Sequence, residues 1–194
     1  YNTAEEFKYV DLSEAISLAK TEKIKDYLGY LESAYLIKVV HKVNESAKRL
    51  KKVNQFKVYL TNPSLRSSIF TPISSGDEAM GNLVETAIYA QWFHRTSAFI
   101  HYARWKGGEV DLVGLDKKNL KPNWAVEIKW SDKYYKEPKK LKSVLKFCKQ
   151  NGLSSAIVTT KEISATQQVY DLNIRFIPAS VYCYTVGKNS IKGG

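Results

Sequence analysis

The segment from residue 109 to residue 130, EVDLVGLDKKNLKPNWAVEIKW, places charged side chains inside two hydrophobic stretches. Each stretch has the residue pattern of a β-strand, and the polar turn between them carries Asn and Pro, so the segment predicts an antiparallel hairpin. Side chains two residues apart lie on the same face of a strand. Glu109 and Asp111 therefore share one face of the first strand, and Glu127 and Lys129 share a face of the second.

A hairpin can bring Asp111 close to Glu127, and two such carboxylates repel each other unless a cation or a proton lies between them. One interpretation is a solvated polar face on which Lys129 balances the negative charge. The other interpretation is a site that binds a cation. The hairpin alone leaves both open.

A helix predicted over residues 80 to 95 adds a third carboxylate. Ile88, Tyr89 and Trp92 lie three, four and seven residues beyond Glu85, so Glu85 falls on the apolar stripe of this helix. A carboxylate that faces a core needs a partner. By itself Glu85 is typical of a capping or surface residue, but beside the hairpin it is directed at the charged face of the sheet.

The Pro-, Ser- and Gly-rich stretch 71–81 divides the chain into two predicted parts, 1–75 and 76–194. The first part has the element order of a winged helix-turn-helix: two helices, a strand, a basic loop and a strand. The helices are predicted in 11–20 and from Thr21 onward, and the strands in 36–40 and 56–60.

The second part predicts a mixed α/β core. After the first helix come three adjacent strands near 98–105, 109–116 and 123–130. A basic helix then starts at Pro138 and ends at Asn151, followed by a strand in SSAIVTT and one or two more strands in IRFIPASVYCYTV.

On this frame, Glu85, the EVD that ends at Asp111 and the Glu-Ile-Lys of residues 127–129 resemble the PD-(D/E)XK nuclease superfamily. The ordered set GNLVE, W, EVD and VEIK is similar to one branch of it. This branch is the nuclease-like domain of unknown function that lies C-terminal to AAA-type ATPase domains in many bacterial proteins, preceded by a small winged-helix segment. The stretches TEKIKDYLGYLESAYLI and KVYLTNPSL are similar to that segment.

The resemblance implies a winged-helix segment over 1–75 and a restriction-endonuclease-like core over 76–194, with a helix, a three-strand antiparallel meander, a helix and a strand. The chain contains no GxxxxGK[ST] loop. Because it also begins with Tyr1 rather than Met, we expect a fragment of a longer bacterial protein with the ATPase domain upstream.

The resemblance also implies a catalytic set of Glu85, Asp111, Glu127 and Lys129. Asp111 and Glu127 would be ligands of Mg²⁺ or Mn²⁺, and Glu85 a direct or water-mediated one. Lys129 would hold the attacking water or a phosphate oxygen. A divalent metal held by carboxylates stabilises the charge of a pentavalent phosphate and activates water. Glu109, at the start of its strand, is expected at the rim of the site.

The implied function is metal-dependent hydrolysis of phosphodiester bonds in nucleic acid. The alternative is a catalytically silent module that binds nucleic acid or protein and serves the attached ATPase. A third interpretation, a transcriptional regulator built on the winged helix, is the weakest of the three because it gives the clustered carboxylates no role.

The charge of the chain favours a polyanionic partner. Lys and Arg number 30 against 19 acidic residues, a net charge of +11. The candidate nucleic-acid-binding residues lie at the predicted wing and in the basic helix, each with a solvated surface as the alternative: Lys48, Arg49, Lys51, Lys52, Lys139 and Lys140.

Cysteine content and hydropathy indicate the compartment. Cys148 and Cys183 match no zinc-binding spacing and are expected to be buried apolar residues, which fits a reducing cytoplasm. No apolar run approaches the ~18 residues of a membrane span, so no membrane partner is expected. Neither the oligomeric state nor the choice between DNA and RNA follows from the sequence.

Overall fold

Nine strands in one continuous mixed sheet form the centre of the computed structural model, which describes residues 5–15, 21–48, 55–95 and 98–192. The strands are β1 (Glu6–Lys8), β2 (Ile37–Val43), β3 (Gln55–Leu60), β4 (Ile100–Trp105), β5 (Gly108–Leu115), β6 (Pro122–Glu127), β7 (Ser155–Thr160), β8 (Ala165–Val169) and β9 (Leu172–Pro178). Their order across the sheet is β1-β3-β2-β4-β5-β6-β7-β9-β8. The predicted α/β class is confirmed.

Seven α-helices accompany the sheet in the described ranges. They are α1 (Tyr9–Ala15), α2 (Thr21–Ser33), α3 (Ser64–Ile69), α4 (Met80–Phe93), α5 (Lys133–Lys136), α6 (Lys142–Asn151) and α7 (Ala179–Lys192), and a 3-10 turn spans Pro138–Lys140. Within these ranges, no helix has both the length and the apolar character needed to cross a membrane.

The strands of the first part extend the sheet of the second. The β2–β3 pair is an antiparallel hairpin, with Ile37 opposite Leu60. On its other edge β2 runs parallel to β4, with Lys42 opposite Tyr102 and Val43 opposite Ala103. The strand β1 was not predicted; after it, the order helix, helix, strand, strand matches the prediction. α1 begins at Tyr9, two residues earlier than predicted, and residues 16–20 lie outside the described part. Side chains of β3 can thereby reach the second part.

The predicted meander is present: β4, β5 and β6 are adjacent and antiparallel. The turn between β5 and β6 follows from local chemistry, because the Asp116 carboxylate accepts the backbone N–H groups of Lys118 and Asn119, each at 2.9 Å. In β6 the consecutive residues Ala125 and Val126 belong to different hydrophobic clusters. Since successive side chains of a strand point to opposite faces, the sheet is covered on both sides.

One cluster packs α6 against the strands through Val144, Phe147 and Cys148. The other joins α4 and α7 to the opposite face and contains Ile88. Cys148 is buried, as predicted, whereas Cys183 is half-buried; both thiols are free. The charged hairpin therefore lies between two apolar layers, where few of its polar groups can reach water.

Of the one or two strands predicted in residues 174–186, one is present. Residues 172–178 form a strand, β9, but residues 179–186 form the first half of α7. Val181 and Tyr184 favour a strand by propensity, yet both are exposed, while Tyr182 and Val186 are buried one helical turn apart. Packing of that stripe against α4 overrides local propensity. The short edge strand β8 was not predicted.

The basic helix also starts later than predicted. Pro138 begins the 3-10 turn rather than an α-helix, and α6 begins at Lys142. Its predicted end is correct: Gly152 follows the helix in the left-handed conformation (φ 70°) and donates its N–H to the last carbonyls.

Replacing Gly114 by alanine should destabilise the protein by about 1–3 kcal/mol, measured by urea denaturation. A Cβ atom at Gly114 would lie 2.0 Å from Cε2 of Trp124, whose ring stacks on Trp92 with centroids 4.7 Å apart. The control is Gly81→Ala in α4, where a Cβ meets nothing within 4 Å, so this change should be neutral or slightly stabilising. Equal effects of the two changes would contradict the close packing of Trp124 on β5.

Candidate functional site

Asp111, Glu127 and Lys129 lie together at one end of the β5–β6 pair. The Lys129 ammonium is 2.8 Å from Oε1 of Glu127 and 3.3 Å from Oδ2 of Asp111. Both carboxylate residues are 8% exposed. Three charged side chains thus converge at a nearly closed place in the sheet, and the solvated polar face is not what the fold builds here.

The backbone that carries Lys129 is held by side chains rather than by a neighbouring strand. The sequence predicted a strand that ends near residue 130, but β6 ends at Glu127. The N–H of Ile128 donates to Oδ2 of Asp111 at 2.7 Å, and Ile128 itself is buried in the α4–α7 cluster. The Thr159 hydroxyl accepts the N–H of Lys129 at 2.7 Å and donates to the Lys129 carbonyl at 2.9 Å. These bonds fix the position from which the lysine reaches the carboxylates.

Glu85 finds its partners in the first part of the chain. It projects from α4, and its Oε1 atom accepts the Tyr59 hydroxyl at 2.5 Å and the Lys57 ammonium at 3.1 Å. Both partners lie on β3, two residues apart, and so share a face of that strand. The partner that a core-facing carboxylate requires is therefore supplied across the junction of the two parts.

Lys57 is a site residue that sequence reasoning missed. It is 2% exposed, and its ammonium also lies 2.5 Å from Oε1 of Glu109. Arg104 contacts the other oxygen of Glu109 at 3.3 Å. In the sequence, Lys57 is one more lysine of a basic strand, and the only available signal was its i, i+2 spacing from Tyr59. Glu109 lies at the edge of the cluster, on Lys57 and Arg104.

Burial and mutual repulsion govern the acidic groups. Burial, with the charge of Asp111, raises the pKa of Glu127 to about 8. The same two causes raise the pKa of Glu85 to about 7. Although burial opposes their charged forms, the carboxylates raise the pKa of Lys57 and of Lys129 above the ordinary value. The lysines therefore stay protonated at neutral pH, while burial and repulsion by Asp111 favour the protonated forms of Glu85 and Glu127.

The two sides of this cluster differ in whether a carboxylate oxygen is left without a partner. The second oxygen of Glu127, Oε2, is buried and has no hydrogen-bond partner. Carboxylate oxygens are the ligands that hard cations such as Mg²⁺ prefer. Glu85, the predicted third ligand, is already bonded to Lys57 and Tyr59. In the described part of the chain, no group of three or more His, Cys, Asp or Glu side chains is arranged to hold a metal ion.

The predicted nucleic-acid-binding lysines are exposed wherever the structure describes them. Lys48 is exposed at the end of the segment after β2, and Arg49, Lys51 and Lys52 lie outside the described residues. Lys139 and Lys140 are exposed in the 3-10 turn, where Lys140 pairs with Glu137 at 2.8 Å. They belong to a segment with five exposed lysines, here named the basic segment: Lys133, Lys136, Lys139, Lys140 and Lys142.

The basic segment begins beside the carboxylates. The ring of Tyr134, next to Lys133, has its centroid 6.0 Å from the Lys129 ammonium. An anionic chain that lies along the basic segment would therefore pass close to Lys129.

Two family models match the chain. The model described as "Domain of unknown function (DUF4143)" matches residues 80–182, and the one described as "Domain of unknown function (DUF8612)" matches residues 1–75. The first covers more than half of the 194 residues, so the chain belongs to the DUF4143 family, whose domains are found C-terminal to AAA ATPases. The predicted family branch is confirmed at this level. Neither curated proteins nor solved structures gave a match.

Thr159→Val should destabilise the protein by about 1–3 kcal/mol, because the N–H and C=O of Lys129 lose their partner. Hydrogen exchange of the Lys129 amide, followed by NMR, should become faster. Thr159→Ser is the matched control, since it keeps the hydroxyl, and its Lys129 amide should stay protected. If valine and serine gave the same protection, Thr159 would not be what holds Lys129.

Proposed function

We propose that this member of the DUF4143 family is a nuclease-like module of a bacterial AAA-type ATPase that hydrolyses phosphodiester bonds of nucleic acid. The observation that supports it most is the convergence of Asp111, Glu127 and Lys129, in which one buried oxygen of Glu127 has no hydrogen-bond partner. A winged-helix segment over 1–75 and a PD-(D/E)XK core over 76–194 are parts of the same proposal. The carboxylates of the site then have a task that a pure anion binder would not give them.

The roles of the residues follow from their surroundings. Lys129 remains charged at neutral pH and is a quarter exposed, so its ammonium can bind a phosphate oxygen. Asp111 is oriented by the N–H of Ile128 and by Lys129. Burial and the charge of Asp111 raise the pKa of Glu127, and a bound cation would favour its ionised form. Mg²⁺ or Mn²⁺ held by Asp111 and Glu127 would supply Lewis-acid stabilisation and a more acidic bound water.

Charge outside the site supports nucleic acid as the substrate. The chain carries a net charge of +11, and the basic segment adds five exposed lysines beside Lys129. Phosphate contacts by such lysines give affinity without sequence preference. The upstream ATPase domain would then present the nucleic acid to the site.

A catalytically silent module is the second candidate, and one observation favours it. The two lysines already neutralise much of the carboxylate charge inside the protein, Lys57 on Glu85 and Lys129 on Glu127. A cluster compensated in this way can simply join the two parts of the chain. The module would then bind nucleic acid or protein for the ATPase without cutting it.

Asp111→Asn should abolish both Mn²⁺ binding and cleavage, because it removes a ligand charge. Lys129→Ala should keep Mn²⁺ binding or tighten it, because it removes a positive charge in contact with both ligands. It should lower cleavage by ~10²–10³-fold, the usual effect of removing one preorganised charged group. Mn²⁺ binding is measured by calorimetry, and cleavage on labelled DNA and RNA by the full-length protein with ATP, with EDTA as a blank.

The matched control for these variants is Lys38→Ala, which removes a lysine from a partly exposed ion pair with Glu32 (3.8 Å) outside the basic segment. It should leave Mn²⁺ binding and the cleavage rate unchanged. If the only cutting observed were independent of Mn²⁺ and equal in wild type and Lys129→Ala, the enzymatic proposal would be refuted. The silent module would then remain.

Nucleic-acid affinity should fall steeply with salt, with a slope of log K against log[salt] of roughly −0.9 for each phosphate bound on duplex DNA. Lys139→Ala with Lys140→Ala should make the slope less steep by about 0.9 for each phosphate that the variant no longer binds. A control of equal charge change is Lys23→Ala with Lys188→Ala, exposed lysines on α2 and α7. Equal slopes in both double variants would place the binding surface away from the basic segment.

A further inference from the structure

Lys57 occupies an unusual position for a lysine. It is 2% exposed, and its ammonium lies between two carboxylates, 3.1 Å from Glu85 and 2.5 Å from Glu109. The ammonium is also 5.2 Å from the centroid of the Tyr102 ring. A buried ammonium is costly, and an apolar side chain would fill the same space without that cost. Packing alone therefore does not account for a lysine at this place.

The surroundings of Lys57 are those of a bound cation. Carboxylates from two elements, α4 and β5, contact one positive charge, and Tyr59 orients Glu85 by a hydrogen bond to the same oxygen that Lys57 contacts. Asp111 is near enough for its charge to act on both Lys57 and Glu85. This half of the cluster is already served by a positive charge that is part of the chain.

The other half has no such provision. Lys129 contacts Asp111 and Glu127, but Oε2 of Glu127 is left unpaired. The Asp111–Glu127 side thus has two carboxylates against the one ammonium of Lys129, whereas Glu85 and Glu109 face two cations, Lys57 and Arg104. The Asp111–Glu127 side of the cluster therefore has room for the charge of a cation from outside the chain, and the Glu85–Glu109 side already has a cation within it.

We propose that Lys57 is a positioning residue that takes the place of a cation at Glu85 and Glu109 and so confines any divalent ion to Asp111 and Glu127. This inference rests on the proposed function, since it says which carboxylates of that site are open to a metal. It also makes the first part of the chain a component of the site, because β3 carries Lys57. Glu85 then acts on the site through charge and not as a metal ligand.

The test is Mn²⁺ binding to the whole chain, by calorimetry, for wild type and Lys57→Met. The methionine fills the space but removes the charge, so Glu85 and Glu109 become free to attract a cation. The affinity for Mn²⁺ should rise at least ~tenfold, or a second ion should bind, because one positive charge a few ångströms away has been removed. Lys57→Arg, which keeps the charge, should bind Mn²⁺ as the wild type does.

A double variant keeps the test valid if Lys57→Met folds poorly. In Lys57→Met with Glu85→Gln both charges are gone, so this protein should fold and show little of the increase in Mn²⁺ affinity. Lys38→Met is the control for removal of a partly exposed, paired lysine outside the site and the basic segment, and it should leave Mn²⁺ binding unchanged.

The outcomes separate this inference from the proposed function. Unchanged or weaker Mn²⁺ binding by Lys57→Met, with the double variant also unchanged, would overturn the role of Lys57 while leaving a nuclease possible. Tighter binding by Lys57→Met when wild type binds no Mn²⁺ would support the role of Lys57 and count against the metal-dependent nuclease. Equal increases in Lys57→Met and Lys38→Met would also overturn the inference.

Discussion

Unequal charge in a buried cluster is the constraint on which the rest of the molecule depends. Two lysine ammonium groups and the guanidinium of Arg104 contact four carboxylates, those of Glu85, Glu109, Asp111 and Glu127. Such charges are tolerated away from water only if they are paired, so the elements that carry them must meet in one arrangement. The pairing is incomplete at Glu127, whose buried Oε2 atom has no hydrogen-bond partner. The divalent ion proposed above would supply the missing charge.

The same constraint explains why two parts of the chain form one sheet. Only two residue pairs join β2 to β4, but Lys57 of β3 reaches Glu85 and Glu109 of the second part. The Tyr102 hydroxyl in turn donates to Glu6 of β1 at 2.7 Å. Charge pairing thus adds to a short strand contact, and the site is built by both family regions. A function assigned to residues 80–182 alone would omit Lys57.

Local periodicity was enough to predict the hairpin and the inward position of Glu85. It could not predict Lys57, because its partners are 28 and 52 residues away and depend on how β3 joins the sheet. The hydrogen bonds by which Thr159 holds Lys129 could not be predicted for the same reason, since the two residues are 30 positions apart. A second strand over residues 179–186 was one of two alternatives because local propensity favours it, whereas packing against α4 makes these residues helical.

The most direct test of the account is a crystal of the protein soaked in Mn²⁺ and measured at a wavelength where manganese scatters anomalously. We expect one anomalous peak, in contact with Asp111 and Glu127, while the Lys57 ammonium keeps its contacts with Glu85 and Glu109. A peak coordinated by Glu85 in place of Lys57 would contradict the division of the cluster. No peak at a saturating Mn²⁺ concentration would contradict the proposal that its missing charge is supplied by a metal.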